Sequence, residues 1–338
     1  RPWFADVPGD PFAELHALEV VGDVPASRRA AAIRVALGTV SRADAFSVVS
    51  VPQHHALIGQ LALLGRLPVP WHDPVACVPI GADPQSWTTA PSDAPAPPLR
   101  VALSGALNAW LDLPLLQSAL EQAWLRGMPV ELHVTGGPDP GQPPAWWADL
   151  QAWANAHTGA HLHGWLPEAD LDALLRRCHL GIVLDQPSLE PVLGCRTRVL
   201  RYVQAGLTPV MTLATPLSHE LSARAAGYFL APGDRDGLVH ALATALEPLS
   251  GATDRAARCK AAQEWLAVRS HPDPRHLLAF VDTPWRLAPG TPSHTQALAA
   301  EGAQLRHELD RLRTAPSIRA LNQIHRMLRW IDPRSKIT

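Results

Sequence analysis

The chain has 338 residues, 47% of them apolar and 18% charged, with a formal net charge of -2. That balance fits a packed globule of two ordinary domains and excludes a disordered chain. The body of the chain carries no polybasic block, which excludes a dedicated nucleic-acid binder. Four cysteines (Cys77, Cys178, Cys195, Cys259) are scattered with no CxxC pair, which reads as free thiols in a reducing, cytoplasmic compartment. We find no secretory signal and no apolar run long enough to span a bilayer.

Residues 1–87 read as a partial α/β domain. The sequence opens at Arg1 without a methionine, which reads as a trimmed start. Arg28 to Leu37 is an alanine-rich helical stretch, Ala45 to Ser50 a buried strand, and Gln53 to Gly65 a helix with Leu57, Leu61 and Leu64 on one face. Cys77 to Gly81 reads as a last short strand. Residues 88–98 (TTAPSDAPAPP) lose all apolar period and form a linker.

Residues 99–270 alternate strand and helix throughout. Strands are expected at Leu99–Leu103, Val130–Thr135, His161–Leu166, Gly181–Leu184, Thr208–Met211 and Tyr228–Leu230. Helices are expected at Asp112–Arg126, Trp146–His157, Glu168–Arg177, Thr197 to Gly206, Ser218–Ala226 and Gly237–Leu246, with a turn at Ser104–Asn108. Such alternation implies a parallel sheet covered on both faces. Residues 271–338 read as a crossover and helical tail. After Pro316, Ser317 to Ile331 sets Leu321, Ile324, Met327, Leu328 and Ile331 against Arg319, Arg326 and Arg329. This basic amphipathic helix suits a membrane surface, packing on the body, or self-association.

The stretch Gly181 to Thr212 concentrates the chemistry. A loop entering a helix at the carboxyl end of a parallel strand is where doubly wound sheets bind ligands. Here it carries Glu190, Arg196 and Arg198. Cations beside free amides at a helix start suit an anion such as a diphosphate. Gly105, in the turn after the first strand of this domain, permits close backbone approach, although a plain strand-to-helix turn explains it too. His161 and His163 share one strand face, but no third ligand stands near in sequence, so a metal site is not expected there. The pair Trp146–Trp147 reads as packing. No Ser-His-Asp order, nucleophile elbow or Walker-type loop is visible.

The pattern Glu190 … Arg196-Thr197-Arg198-Val199-Leu200-x-Tyr202-x-x-Ala205-Gly206-Leu207-x-Pro209-Val210 resembles the donor-binding segment of GT-B glycosyltransferases, retaining family four of the surface-polysaccharide type in particular. The resemblance covers roughly residues 45 to 250. It implies two Rossmann-like domains with parallel sheets. The N-terminal one, on the acceptor side, is apparently incomplete, because a full one needs roughly 150 residues. It also implies a nucleotide-sugar donor, a glycan or lipid-linked acceptor, no metal, and Glu190, Arg196 and Arg198 as the catalytic set. The donor side would involve Gly105, Asn108 and Trp110, the nucleobase turn Gly164-Trp165-Leu166, and Arg201 and Tyr202. A buried core tryptophan is the other reading of Trp165.

Two departures from the family stand out. The phosphate cations usual after the first strand are replaced by residues such as Ala106, Leu111 and Asp112. The second glutamate, which holds the ribose, would fall near Arg201, and arginine cannot accept those hydrogen bonds. A glycosyltransferase and a catalytically degenerate scaffold that binds nucleotide weakly or acts as an assembly partner therefore both stand. An epimerase on the same fold has no positive feature.

Overall fold

Two parallel sheets organise the protein. The computed structural model describes residues 1–22, 24–81, 97–108, 110–138, 144–269 and 274–288. In the N-terminal part, strand β1 (Phe4–Val7) leads to helices α1 (Pro11–Val21) and α2 (Ala26–Val40). Strand β2 (Ala45–Val48), helix α3 (Val51–Leu63) and strand β3 (Val75–Cys77) follow. The strands form a parallel sheet in the order β1-β2-β3. The second part runs β4 (Leu99–Ala106), α4 (Leu113–Leu125), β5 (Val130–Gly137), α5 (Ala145–Ala156), β6 (Ala160–Gly164), α6 (Glu168–Leu175) and β7 (Leu180–Val183). It continues with α7 (Leu189–Leu193), α8 (Thr197–Gln204), β8 (Thr208–Thr212), α9 (Pro216–Ser222), β9 (Tyr228–Leu230), α10 (Arg235–Leu246), α11 (Gly251–Arg269) and α12 (Arg275–Asp282). Its six strands are parallel in the order β6-β5-β4-β7-β8-β9.

The larger sheet is covered on both faces, as its near-continuous apolar strands require. Leu116 and Leu120 of α4 and Leu238 and Leu242 of α10 pack on one face. Val199 and Val203 of α8, Leu217 of α9 and Leu266 of α11 pack on the other. Some helix starts carry side-chain caps: Asp112 accepts from the Leu115 amide at 3.0 Å, and Thr215 and Ser218 form a reciprocal cap on α9. Gly206, at φ 85°, ends α8.

The chain then crosses back. Leu287 is buried in the N-terminal core beside Phe46 and Leu57, and the Asp44 side chain accepts from its amide at 3.1 Å. Arg66, only 1% exposed, donates to the carbonyls of Ala43 and Ala288.

Several expectations shift. Residues 1–22 hold a first strand and helix that no periodicity in the sequence marked, so the small N-terminal sheet has three strands. Strand β3 ends at Cys77 rather than starting there, because its register pairs Val75 with Phe46. Strand β4 runs to Ala106, absorbing most of the expected turn, since Gly105 and Ala106 pair with Gly136 and Gly137. Most of the linker and all of the tail helix from Ser317 lie outside the described residues.

Gly181 shows how tightly β7 and α8 meet. A Cβ there would lie 2.3 Å from the Tyr202 ring. Gly181→Ala is expected to cost ~1–3 kcal/mol or more through overpacking. A urea melt of the variant checks it; an unchanged midpoint would show that the ring moves freely.

Candidate active site

The strand order reverses between β4 and β7, which places a crevice at their carboxyl ends. Paired glycines shape its floor. Gly105 and Gly136 both have positive φ, 93° and 87°, and a Cβ on Gly136 would strike the Gly105 carbonyl at 2.2 Å. Beyond β4, two residues are tied to the end of β7: Leu111 bridges Asp185, and the Asp112 amide donates to the Leu184 carbonyl at 3.0 Å.

On the other side, Arg196 anchors the loop between β7 and α8. Its Nε donates to Asp185 at 2.6 Å, and its two terminal nitrogens clamp both oxygens of Glu190. The Trp110 ring lies 5.7 Å from its guanidinium carbon. All three charged groups are buried, with Arg196 3%, Asp185 0% and Glu190 7% exposed. Complete burial pushes the Asp185 carboxyl above the usual range, against the pull of Arg196. Desolvation disfavours the Arg196 cation, yet Asp185 and Glu190 outweigh it and raise its pKa.

The sequence reading placed Glu190 and Arg196 together on one loop. Glu190 sits on the short helix α7, not on a loop, and the two side chains neutralise each other. Sequence reasoning missed Asp185, whose signal was a carboxylate placed directly after the apolar run Gly181–Leu184.

Arg198 is the cation left over. It stands in the first turn of α8, whose N-terminus has no side-chain cap. Its Nη2 donates to the Ala106 carbonyl at 2.6 Å, and its Nη1 is shut off from solvent with no partner among the described residues. Burial lowers its pKa. Gly105, Asn108, Trp110 and Glu190 line a cavity of about 290 Å³ with it, and Pro8, Gly9 and Glu14 close the far wall. The site therefore spans both sheets, with the end of β1 facing the end of β4.

The two parts also bond directly: Ser50, which caps α3, donates to the Leu193 carbonyl at 2.6 Å. The Glu14 carboxyl is raised, first by burial and then by Glu190 and Asp10. Burial also raises the pKa of the Cys195 thiol, another residue of the cavity wall.

The remaining expected residues divide. Trp165 is 58% exposed, which rules out the buried reading; its Nε1 lies close to Gly137, at the carboxyl ends of β5 and β6. Gly164 adopts φ 66° just before it, and Leu166 is half-buried. Arg201 turns away from the cleft and pairs with Asp172 and Glu168 of α6. Tyr202 is fully buried. Its hydroxyl accepts from the Ser104 amide at 2.8 Å, so it supports β4 from within the core.

The histidines meet groups from the next strand: His133 and Glu131 on β5 stand beside His161 on β6.

These features define the GT-B class of fold, two parallel-sheet units with a site between their carboxyl ends. Solved structures agree. Anabaena Alr3699/HepE in complex with UDP and glucose superposes with a TM-score of 0.57 at 16% identity, covering 84% of this chain and 72% of that one. The trehalose-6-phosphate synthase OtsA gives 0.59 at 16% identity, over 84% and 72%. The sucrose-phosphate synthase of Thermosynechococcus elongatus gives 0.57 at 16%, over 92% and 68%. No protein-family model matches the chain, and no curated protein matches it in sequence.

Proposed function

We propose that the protein is a glycosyltransferase that moves a sugar from a nucleotide-sugar donor, with retention, to a glycan or lipid-linked acceptor in surface-polysaccharide synthesis. The observation that carries this is Arg198, an unneutralised cation beside the uncapped start of α8 at the switch point of the sheet. A departing diphosphate would receive the α8 amides and this guanidinium, stabilising charge as it develops. The Arg196 clamp holds Glu190 at the cavity wall, where its carboxylate would orient the donor sugar. Trp165 offers an exposed ring for the base.

The acceptor would enter from the Pro8–Gly9 side. Solved structures of this fold with UDP and with UDP-glucose support the donor class. The sequence resemblance supports retention and the polysaccharide role, and the free cysteines support a cytoplasmic setting. Among the described residues, no helix is long and apolar enough to cross a membrane.

One observation favours a second reading, a degenerate scaffold: Glu190 and Arg196 are committed to each other, and Arg201 to α6. A thermal-shift panel of nucleoside diphosphates and their sugars separates the two. Stabilisation by one base class supports the enzyme, and no response at millimolar ligand supports the scaffold. In an active parent, Glu190→Gln should lower turnover more than nucleotide affinity; equal turnover would remove Glu190 from the chemistry.

A further inference from the structure

We propose that Glu131, His133 and His161 form a binding site for a divalent transition-metal ion, zinc foremost, at the β5–β6 edge of the large sheet. The proposal is independent of the glycosyl-transfer reading. It starts from register. His133 pairs with His161 across the parallel strands, and Glu131 lies two residues back on the same face of β5. One ligand atom from each residue falls within 4.8 Å of the others. The His133 Nε2 stands 3.6 Å from Glu131 Oε2. Two ligands each about 2.0–2.1 Å from a tetrahedral zinc are roughly 3.3 Å apart, so small side-chain rotations suffice.

The second observation is an unpartnered ring nitrogen. Among the described residues, the His133 Nε2 is shut off from solvent with no hydrogen-bond partner, which is uncommon for a buried polar atom. Its other nitrogen, Nδ1, lies 3.1 Å from His163 Nε2. The register slips after Val134, and His163 is the bulged residue of β6. That bulge brings its ring parallel to His133, with centroids 5.4 Å apart. When Nδ1–H of His133 donates to His163, the Nε2 lone pair is fixed toward Glu131. This is the outer-shell arrangement that orients metal-binding histidines.

Imidazole and carboxylate ligands suit zinc, cobalt and nickel rather than thiolate-seeking ions. One competitor is built in: Arg100 Nε lies 3.4 Å from the same Glu131 oxygen, and a bound ion would displace it. Three protein ligands leave a fourth position for water. The ion would staple β5 to the edge strand β6 and fix the bulge that precedes Gly164 and Trp165.

The test uses the full chain, stripped with chelator and then dialysed. Calorimetry with Zn²⁺ should show one saturable equivalent, and Co²⁺ should give visible ligand-field bands. Zn²⁺ at a hundredfold excess over Kd should raise Tm on the order of 5 °C. His161→Ala, on a half-exposed edge strand, should abolish all three signals. His163→Ala should weaken binding roughly 10- to 100-fold. His54→Ala, at the separate His54–Asp73 pair, should change none of them. No saturable equivalent in the parent, or an equivalent that survives His161→Ala, overturns the site, and so does one lost in His54→Ala.

Discussion

Replacing Arg196 with alanine is expected to destabilise the protein by about 3–5 kcal/mol at neutral pH, the range for breaking a buried ion pair from one side. Against an ordinary stability of roughly 5–15 kcal/mol, that is a large fraction. The cost arises because Asp185 and Glu190 would remain buried, close together and without a cation. The Asp185 carboxyl, already raised by burial, would lose the pull of Arg196 and sit further above its unfolded value. A folded pKa raised above the unfolded one gives stability that is present at low pH and lost as pH rises through it. The variant should therefore recover part of its deficit on acidification from pH 7 to pH 5. Urea melts of parent and variant at both values measure this. A loss under about 1 kcal/mol would mean that the carboxylates find other partners and that Arg196 is free to serve a ligand.

Arg198→Ala is expected to act differently, on binding more than on folding. No carboxylate neutralises Arg198, and one of its nitrogens has no partner, so removing it strands no opposite charge. Nucleoside diphosphate affinity should fall by ~1.5–3 kcal/mol, the range for charge-assisted hydrogen bonds, or roughly ten- to a hundredfold. Arg198→Lys should recover only part, because an ammonium cannot hold the Ala106 carbonyl and a phosphate in the same planar fork. Titration calorimetry at two salt concentrations tests both variants. Unchanged affinity in Arg198→Ala would remove the diphosphate from this end of α8 and with it the donor site as proposed.

The contrast between these two arginines marks what could be read in advance. Residues 197–206 announce a helix through Val199, Leu200 and Val203 at three- and four-residue spacing, and Gly206 announces its end. Pattern of this kind is local, so nearly every strand and helix from Leu99 to Leu246 was legible, whereas the strand order that sets the switch point was not. Arg196 and Arg198 look alike in the sequence, two positions apart in one loop. In the structure Arg196 is buried against Asp185 and Glu190, while Arg198 meets no carboxylate among the described residues and reaches the Ala106 carbonyl.

The first strand and helix escaped for a related reason. Phe4–Val7 is too short for a clear period, and it becomes a strand because β2 offers a parallel partner. His133 and His161 lie in separate strands with a helix between them, so only the β5–β6 register could bring their rings together.

The sequence by itself therefore determined the succession of elements, the parallel character of the large sheet and the loops able to carry chemistry, because apolar spacing and turn residues act over a few positions. Tertiary structure alone decided which charges are neutralised. Arg196 meets Asp185 and Glu190, Arg201 meets Asp172, and Arg198 reaches a carbonyl 92 positions away. Burial makes each of those pairings energetically consequential, and burial depends on how the strands are ordered across the sheet.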